Sequence, residues 1–118
     1  MSVPVWIGVG LLGGCGAVAR VWFGAAAAQR LGQVWAGTLL VNLIGAFALG
    51  LLSALDSVGR DLHTMIALGF LGAFTTFSTW MVEAERDRAR LHGVALLVGA
   101  LLLGLAAVWL GREVGAQL

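Results

Sequence analysis

Residues 69–80, GFLGAFTTFSTW, decide how this chain folds. They place two glycines and four hydroxyl side chains within a charge-free segment of membrane length. Glycine weakens a helix, and hydroxyl side chains can hydrogen-bond to backbone groups that have lost their helical partners. Irregular backbone at membrane depth is tolerated only where protein or a water-filled path surrounds it. The stretch indicates part of a pathway, the alternative being a packing helix whose hydroxyls bond its own carbonyls.

The composition around this stretch is that of an integral membrane protein. The chain has 118 residues, of which 60% are hydrophobic and 11% charged, too apolar for a soluble core of that size. A membrane-spanning helix needs roughly 20 apolar residues. Four segments meet this length: 3–23, 34–55, 64–82 and 91–111. We therefore predict an all-α fold with one four-helix transmembrane domain over residues 1–118, its third helix broken near mid-membrane.

Several classes of function are disfavoured by the remaining residues. The basic residues are few and scattered, so no nucleic-acid partner is expected. Cys15 is the sole cysteine, which excludes an internal disulfide. His63 and His92 have no acidic or cysteine partner at ligand spacing. We expect no enzyme chemistry.

Two polar side chains lie within the apolar spans. Asn42 shares a helical face with Thr38 and Gly45 in the second span. It either makes an interhelical hydrogen bond or donates to an anion along a path, and the two roles can coexist. Arg20, about one turn from the end of the first predicted span, either snorkels to the headgroups or forms an electropositive vestibule for anions.

Small residues at helical spacing predict close contacts between the spans, because helix association in lipid depends on close backbone approach. The candidate positions lie on the first, second and fourth spans. They are Gly10, Gly14, Gly13, Gly16 and Ala17; Ala46, Gly50 and Ala54; and Gly93, Ala100, Gly104, Ala107 and Gly111.

Three stretches together resemble the Fluc, or CrcB, family of small fluoride channels. They are GCGAVAR at residues 14–20, GTLLVNLIGAFALG at residues 37–50, and GFLGAFTTFSTW at residues 69–80. All four spans correspond to the family's in order and length. The resemblance implies passive, fluoride-selective export through an antiparallel homodimer of dual topology in a prokaryotic inner (plasma) membrane. It also implies two pores per dimer.

The resemblance also implies roles for individual residues. A structural sodium ion on the dimer axis would be held by the backbone carbonyls of Gly72 and Thr75. Asn42, Ser78 and Thr79 would provide donors to fluoride. The aromatic positions beside the ion path are Phe77 and Trp80, the latter replacing the family's usual Phe. The fourth span has no Ser or Thr between Gly93 and Gly111.

Two alternatives remain at the level of sequence. One is a non-conducting or half-contributing subunit of a heterodimeric fluoride channel, suggested by the apolar fourth span. The other is a proton-coupled multidrug antiporter, which needs an ionisable residue at membrane depth. All six acidic residues lie at or beyond the span edges, which disfavours it. Arginines at the two membrane faces number two (Arg60 and Arg112) against four (Arg30, Arg86, Arg88 and Arg90), a small bias that permits dual topology.

Overall fold

A computed structural model describes residues 2–75 and 90–118 of the chain. Helix α1 spans Val3–Leu31 and has Pro4 in its first turn, where the missing N–H costs nothing. It ends at Gly32, whose φ of 75° is left-handed and whose N–H donates to the Ala28 carbonyl at 2.8 Å. Glycine is the residue that adopts this conformation without penalty.

The first helix is longer than the sequence predicts. We expected the span to end at Phe23, but α1 continues for two further turns to Leu31. The continuation contains four consecutive alanines, residues 25–28, and alanine has the highest helix propensity. The prediction was wrong because it counted membrane length, whereas the stop signal is Gly32.

The helices that follow agree more closely with the predicted spans. They are α2, Val34–Ala54; α3, Arg60–Thr64; a π-helical segment, Met65–Leu71; α4, Gly72–Phe74; and α5, Arg90–Ala116. We call the continuous run of residues 60–74 the third helix. Within the described residues, three stretches are long and apolar enough to cross a membrane: Val3–Leu31, Ala36–Ala54 and Val98–Ala116.

Helix α2 occupies the middle of the fold. It contacts α1, the third helix and α5. A Cβ at Gly50 would meet the Val108 carbonyl of α5, and one at Gly111 would meet the Phe47 carbonyl of α2. Glycine on both helices thus permits close backbone approach. Val41, only 1% exposed, is the most deeply buried large side chain of α2.

The predicted glycine contacts are confirmed at some positions and not seen at others within the described part of the chain. Gly50 and Gly111 lie in helix contacts, as does Gly16, against the Phe70 carbonyl. A Cβ at Gly10, Gly14 or Gly104 would meet no atom of the described part of the chain within 4 Å. Spacing shows that a small residue shares a face with others but not which face meets a neighbour.

Candidate functional site: the end of the third helix

The third helix changes its hydrogen-bonding pattern twice before it ends. It begins as an α-helix, continues as a π-helix over Met65–Leu71 and returns to α-helix at Gly72. π-Helical turns are rare and occur frequently at functional sites. Thr75 then has φ −83° and ψ 151°, which is extended backbone. The helix therefore ends at Phe74, where the sequence predicts a break.

The π segment lies against the backbone of α1. A Cβ at Gly69 would come 2.7 Å from the Val9 carbonyl oxygen, and one at Gly16 would meet the Phe70 carbonyl. Only hydrogen fits at these two positions. Glycines on both partners therefore bring the two backbones together just before the helix ends.

Phe74 anchors the last turn of the third helix. It is 4% exposed. Its ring stacks on Phe70, with centroids 5.8 Å apart and planes at 12°. It also meets Phe23 of α1 edge-on, with centroids 6.1 Å apart and planes at 73°. Such aromatic pairs contribute roughly 0.5–1.5 kcal/mol beyond area burial. The Phe23 contact holds the end of the helix against α1, whereas the Phe70 contact lies within the third helix.

A cavity of about 440 Å³ lies between α2, the third helix and α5. Asn42 and Gly45 line it from α2, and Gly72 and Thr75 line it from the end of the third helix. The α5 side is apolar: Ala100, Leu101, Gly104, Leu105 and Val108. Among the described lining residues, Asn42 and Thr75 carry the polar side chains. The structure thus brings three predicted site residues, Asn42, Gly72 and Thr75, to one cavity.

The polar face of α2 points toward this region. Thr38 and Gly45 are buried and Asn42 is half-buried. Neither Thr38 nor Asn42 lacks an interaction partner within the chain.

Arg20 lies deeper along its helix than the sequence predicts. It is half-buried and eleven residues before the end of α1 at Leu31, about 16 Å at 1.5 Å per residue. Its helical neighbours Gly16 and Phe23 contact Phe70 and Phe74. Arg20 therefore lies level with the last turn of the third helix, not one turn from a helix end. Among the described residues, it is not part of the cavity lining.

Four predicted site residues lie outside the described part of the chain. They are Phe77, Ser78, Thr79 and Trp80. Their assignments stay predictions.

Two features of the site were not predicted. Hydropathy and residue spacing do not predict a π-helix. Gly69 and Gly72 indicate only that the helix is loosened there. Gly45 was placed on the Asn42 face, but its contact was not foreseen: a Cβ there would meet the Thr75 methyl group, Cγ2. Only the packing of α2 against the third helix shows this contact.

The fold and the cavity define the class of protein: a helical membrane protein in which the third helix ends at Phe74 beside a cavity between the helices. The model of the family described as CrcB-like protein, Camphor Resistance (CrcB), matches residues 7–112. The chain belongs to this family.

Curated relatives extend over nearly the whole chain. Fluoride-specific ion channel FluC 2 of Mycobacterium tuberculosis (strain ATCC 25618 / H37Rv) is 43% identical over 95% of this chain and 91% of its own length. Fluoride-specific ion channel FluC 1 of Symbiobacterium thermophilum is 42% identical over 93% of this chain and 96% of its own length. FluC of Xanthomonas axonopodis pv. citri is 40% identical, covering 100% and 98%. These relatives are named as ion channels, not enzymes.

Proposed function

We propose that the chain is a fluoride-selective channel that exports fluoride passively across the prokaryotic inner (plasma) membrane. Family membership and the names of the relatives support a fluoride channel. The observation that carries the proposal is the cavity in which Asn42 faces the end of the third helix. Fluoride is small and strongly hydrated, so a path must offer donors that replace water and still release the ion.

Asn42 is the described donor best placed for fluoride. Its amide N–H groups suit an anion, and it lines the cavity from α2. The proposed path continues along Phe77, Ser78, Thr79 and Trp80, where hydroxyl hydrogens and the positive edges of aromatic rings face the ion. Arg20 is the proposed electropositive group of the vestibule, since its guanidinium stays charged.

Gly72 and Thr75 fit the carbonyl ligands of a structural sodium ion. The last turn of a helix leaves carbonyl oxygens without intrahelical partners, and here the helix ends at Phe74. Oxygen ligands suit a hard cation. Such an ion would supply fixed positive charge that offsets the cost of an anion in low dielectric.

The proposed assembly is an antiparallel homodimer of four-span subunits, each a single domain over residues 1–118, with two pores. The three long apolar helices support the first, second and fourth spans, and the proposed third span runs over residues 64–82, of which 76–82 lie outside the described residues. The small arginine bias supports insertion in both orientations.

Fluoride flux from liposomes tests the proposed function. Purified protein should release fluoride and retain chloride when the membrane potential is clamped. Equal passage of both ions, or of neither, would contradict the proposal.

Replacement of Asn42 tests its place in the path. Asn42→Ala should lower fluoride flux by about tenfold or more, since losing a hydrogen bond to a charged group costs about 1.5–3 kcal/mol. Ser53→Ala is the matched control. Ser53 is exposed on the same helix and donates to the Gly50 carbonyl at 2.7 Å. Equal flux from the two variants would remove Asn42 from the path.

A second candidate is a subunit that contributes only part of each pore within a heterodimer. It is favoured by the apolar α5 side of the cavity, which offers an anion no side-chain donor among the described lining residues. Fluoride flux by this chain expressed alone would contradict it.

A further inference from the structure

Thr75 makes three contacts where the third helix ends. Its backbone N–H and its hydroxyl each donate to the Leu71 carbonyl at 3.1 Å. Its Cγ2 methyl group contacts Gly45 so closely that a Cβ at residue 45 would overlap with it. The side chain therefore contacts two elements. Its hydroxyl donates to Leu71, the last residue of the π segment, and its methyl group packs against α2 at Gly45, which has no side chain.

The two hydrogen bonds stabilise the conformation at the end of the helix. A threonine hydroxyl commonly bonds the carbonyl four residues earlier within a continuing helix. Here Thr75 itself has extended backbone, so the bond forms at the residue where the helix stops. Leu71, 7% exposed, is also buried, and water is therefore a poor substitute donor for its carbonyl.

The methyl contact sets the spacing between the broken helix and α2. Gly45 is buried and lies three residues after Asn42, so the two positions share a helical face. Both line the cavity with Thr75. A side chain at residue 45 would push Thr75 away and change the separation between Asn42 and the end of the third helix.

We propose that Gly45 and the Thr75 side chain are a positioning pair that sets the distance between the Asn42 face of α2 and the end of the third helix. The pair touches neither ion through its side chains. It acts through Asn42 and through the backbone at Thr75. The proposal rests on the proposed function for its flux readout.

A complementary pair of substitutions tests the contact. Gly45→Ala should lower fluoride flux, because its Cβ meets the Thr75 methyl group. Thr75→Ser removes that methyl group and keeps the hydroxyl. The nearest Phe74 atom would lie 3.5 Å from the new Cβ, an ordinary contact. The double variant Gly45→Ala/Thr75→Ser should therefore conduct better than Gly45→Ala alone, although Thr75→Ser alone lowers flux.

Gly50→Ala is the matched control on the same helix. Its Cβ would meet the Val108 backbone of α5, which Thr75→Ser does not change. The serine substitution should therefore not restore a Gly50→Ala variant. Thr75→Val, which removes the hydroxyl and keeps the shape, should lower flux about fivefold, as expected for the loss of a part-buried hydrogen bond of about 1 kcal/mol.

Two readouts separate this proposal from the proposed function. Fluoride flux and the melting temperature in detergent are measured for the wild type, the four single variants Gly45→Ala, Thr75→Ser, Thr75→Val and Gly50→Ala, and the two double variants that combine Thr75→Ser with Gly45→Ala or Gly50→Ala. If the wild type does not conduct, the proposed function fails, and the melting temperatures still report whether Thr75→Ser rescues Gly45→Ala but not Gly50→Ala. Wild-type flux from Gly45→Ala, absence of rescue, or equal rescue of Gly50→Ala would overturn the positioning pair.

Discussion

At the scale of single residues, the polar side chains near the end of the third helix fall into two groups. Asn42 and Thr75 share a cavity, whereas Arg20 lies level with the same helix end on α1. An ionisable side chain at membrane depth is expensive and usually functional. The vestibule role of Arg20 stays a prediction beside the alternative of snorkelling.

Replacement of Arg20 tests that interpretation. Arg20→Gln should reduce fluoride flux several-fold at low ionic strength and less at high ionic strength, because salt screens attraction between the guanidinium and approaching anions. Arg20→Lys should retain most of the flux. The measurement is initial efflux rate against salt concentration. Arg112→Gln serves as the control, because Arg112 is exposed near the end of α5. An identical dependence of flux on salt for the two glutamine variants would contradict the interpretation.

At the scale of elements, the third helix depends on its contact with α1. Its π segment is held where glycines allow the two backbones to touch, at Gly69 and Gly16. The aromatic contacts of Phe74 then continue the same interface by one turn. The end of the helix is therefore positioned from α1 as well as from α2.

Alanine substitutions along α1 test this interface. Gly16→Ala should destabilise the protein by about 1–3 kcal/mol, the usual cost of overpacking, because its Cβ would meet the Phe70 backbone. Gly14→Ala should be neutral or slightly stabilising, since alanine favours helix and nothing in the described part of the chain lies within 4 Å. Denaturant unfolding in detergent measures both. Equal stabilities would show that the helices do not approach closely at Gly16.

At the scale of the whole molecule, the long helices expose much of their apolar surface. Trp22 and Leu105 are 75% and 69% exposed, as suits side chains that meet lipid or a second subunit. Arg30 lies in the last turn of α1 at one end of the bundle, while Arg60 begins the third helix at the other. Neither end carries enough arginine among the described residues to impose one orientation strongly.

Cysteine labelling tests the dual topology. The two test variants, Gln29→Cys and Ser57→Cys, are made in a Cys15→Ser background, and both positions are exposed. Residue 29 precedes α2 and residue 57 follows it. Since α2 is 21 residues long, about 31 Å, the two thiols lie near opposite ends of the bundle. An impermeant reagent added outside intact cells should label about half of each variant if both orientations occur. Complete labelling of one variant and none of the other would establish a single orientation.

The sequence by itself determined the membrane class, the family resemblance and the place near Thr75 where the third helix stops. Long apolar runs have no other stable environment, and glycine with clustered hydroxyls weakens a helix locally. The approximate extents of α2 and α5 also followed from apolar length. The end of α1 did not, because Gly32 and the alanines before it decided that boundary.

Only the tertiary structure decided which groups meet. The contact of Gly45 with Thr75, the choice of Gly16 over Gly14, and the depth of Arg20 all depend on how helices rotate and slide against one another. Helical spacing places residues on a common face, but many faces of these helices are equally apolar. Steric fit between backbones selects among them, and that selection brings Asn42 to the end of the third helix.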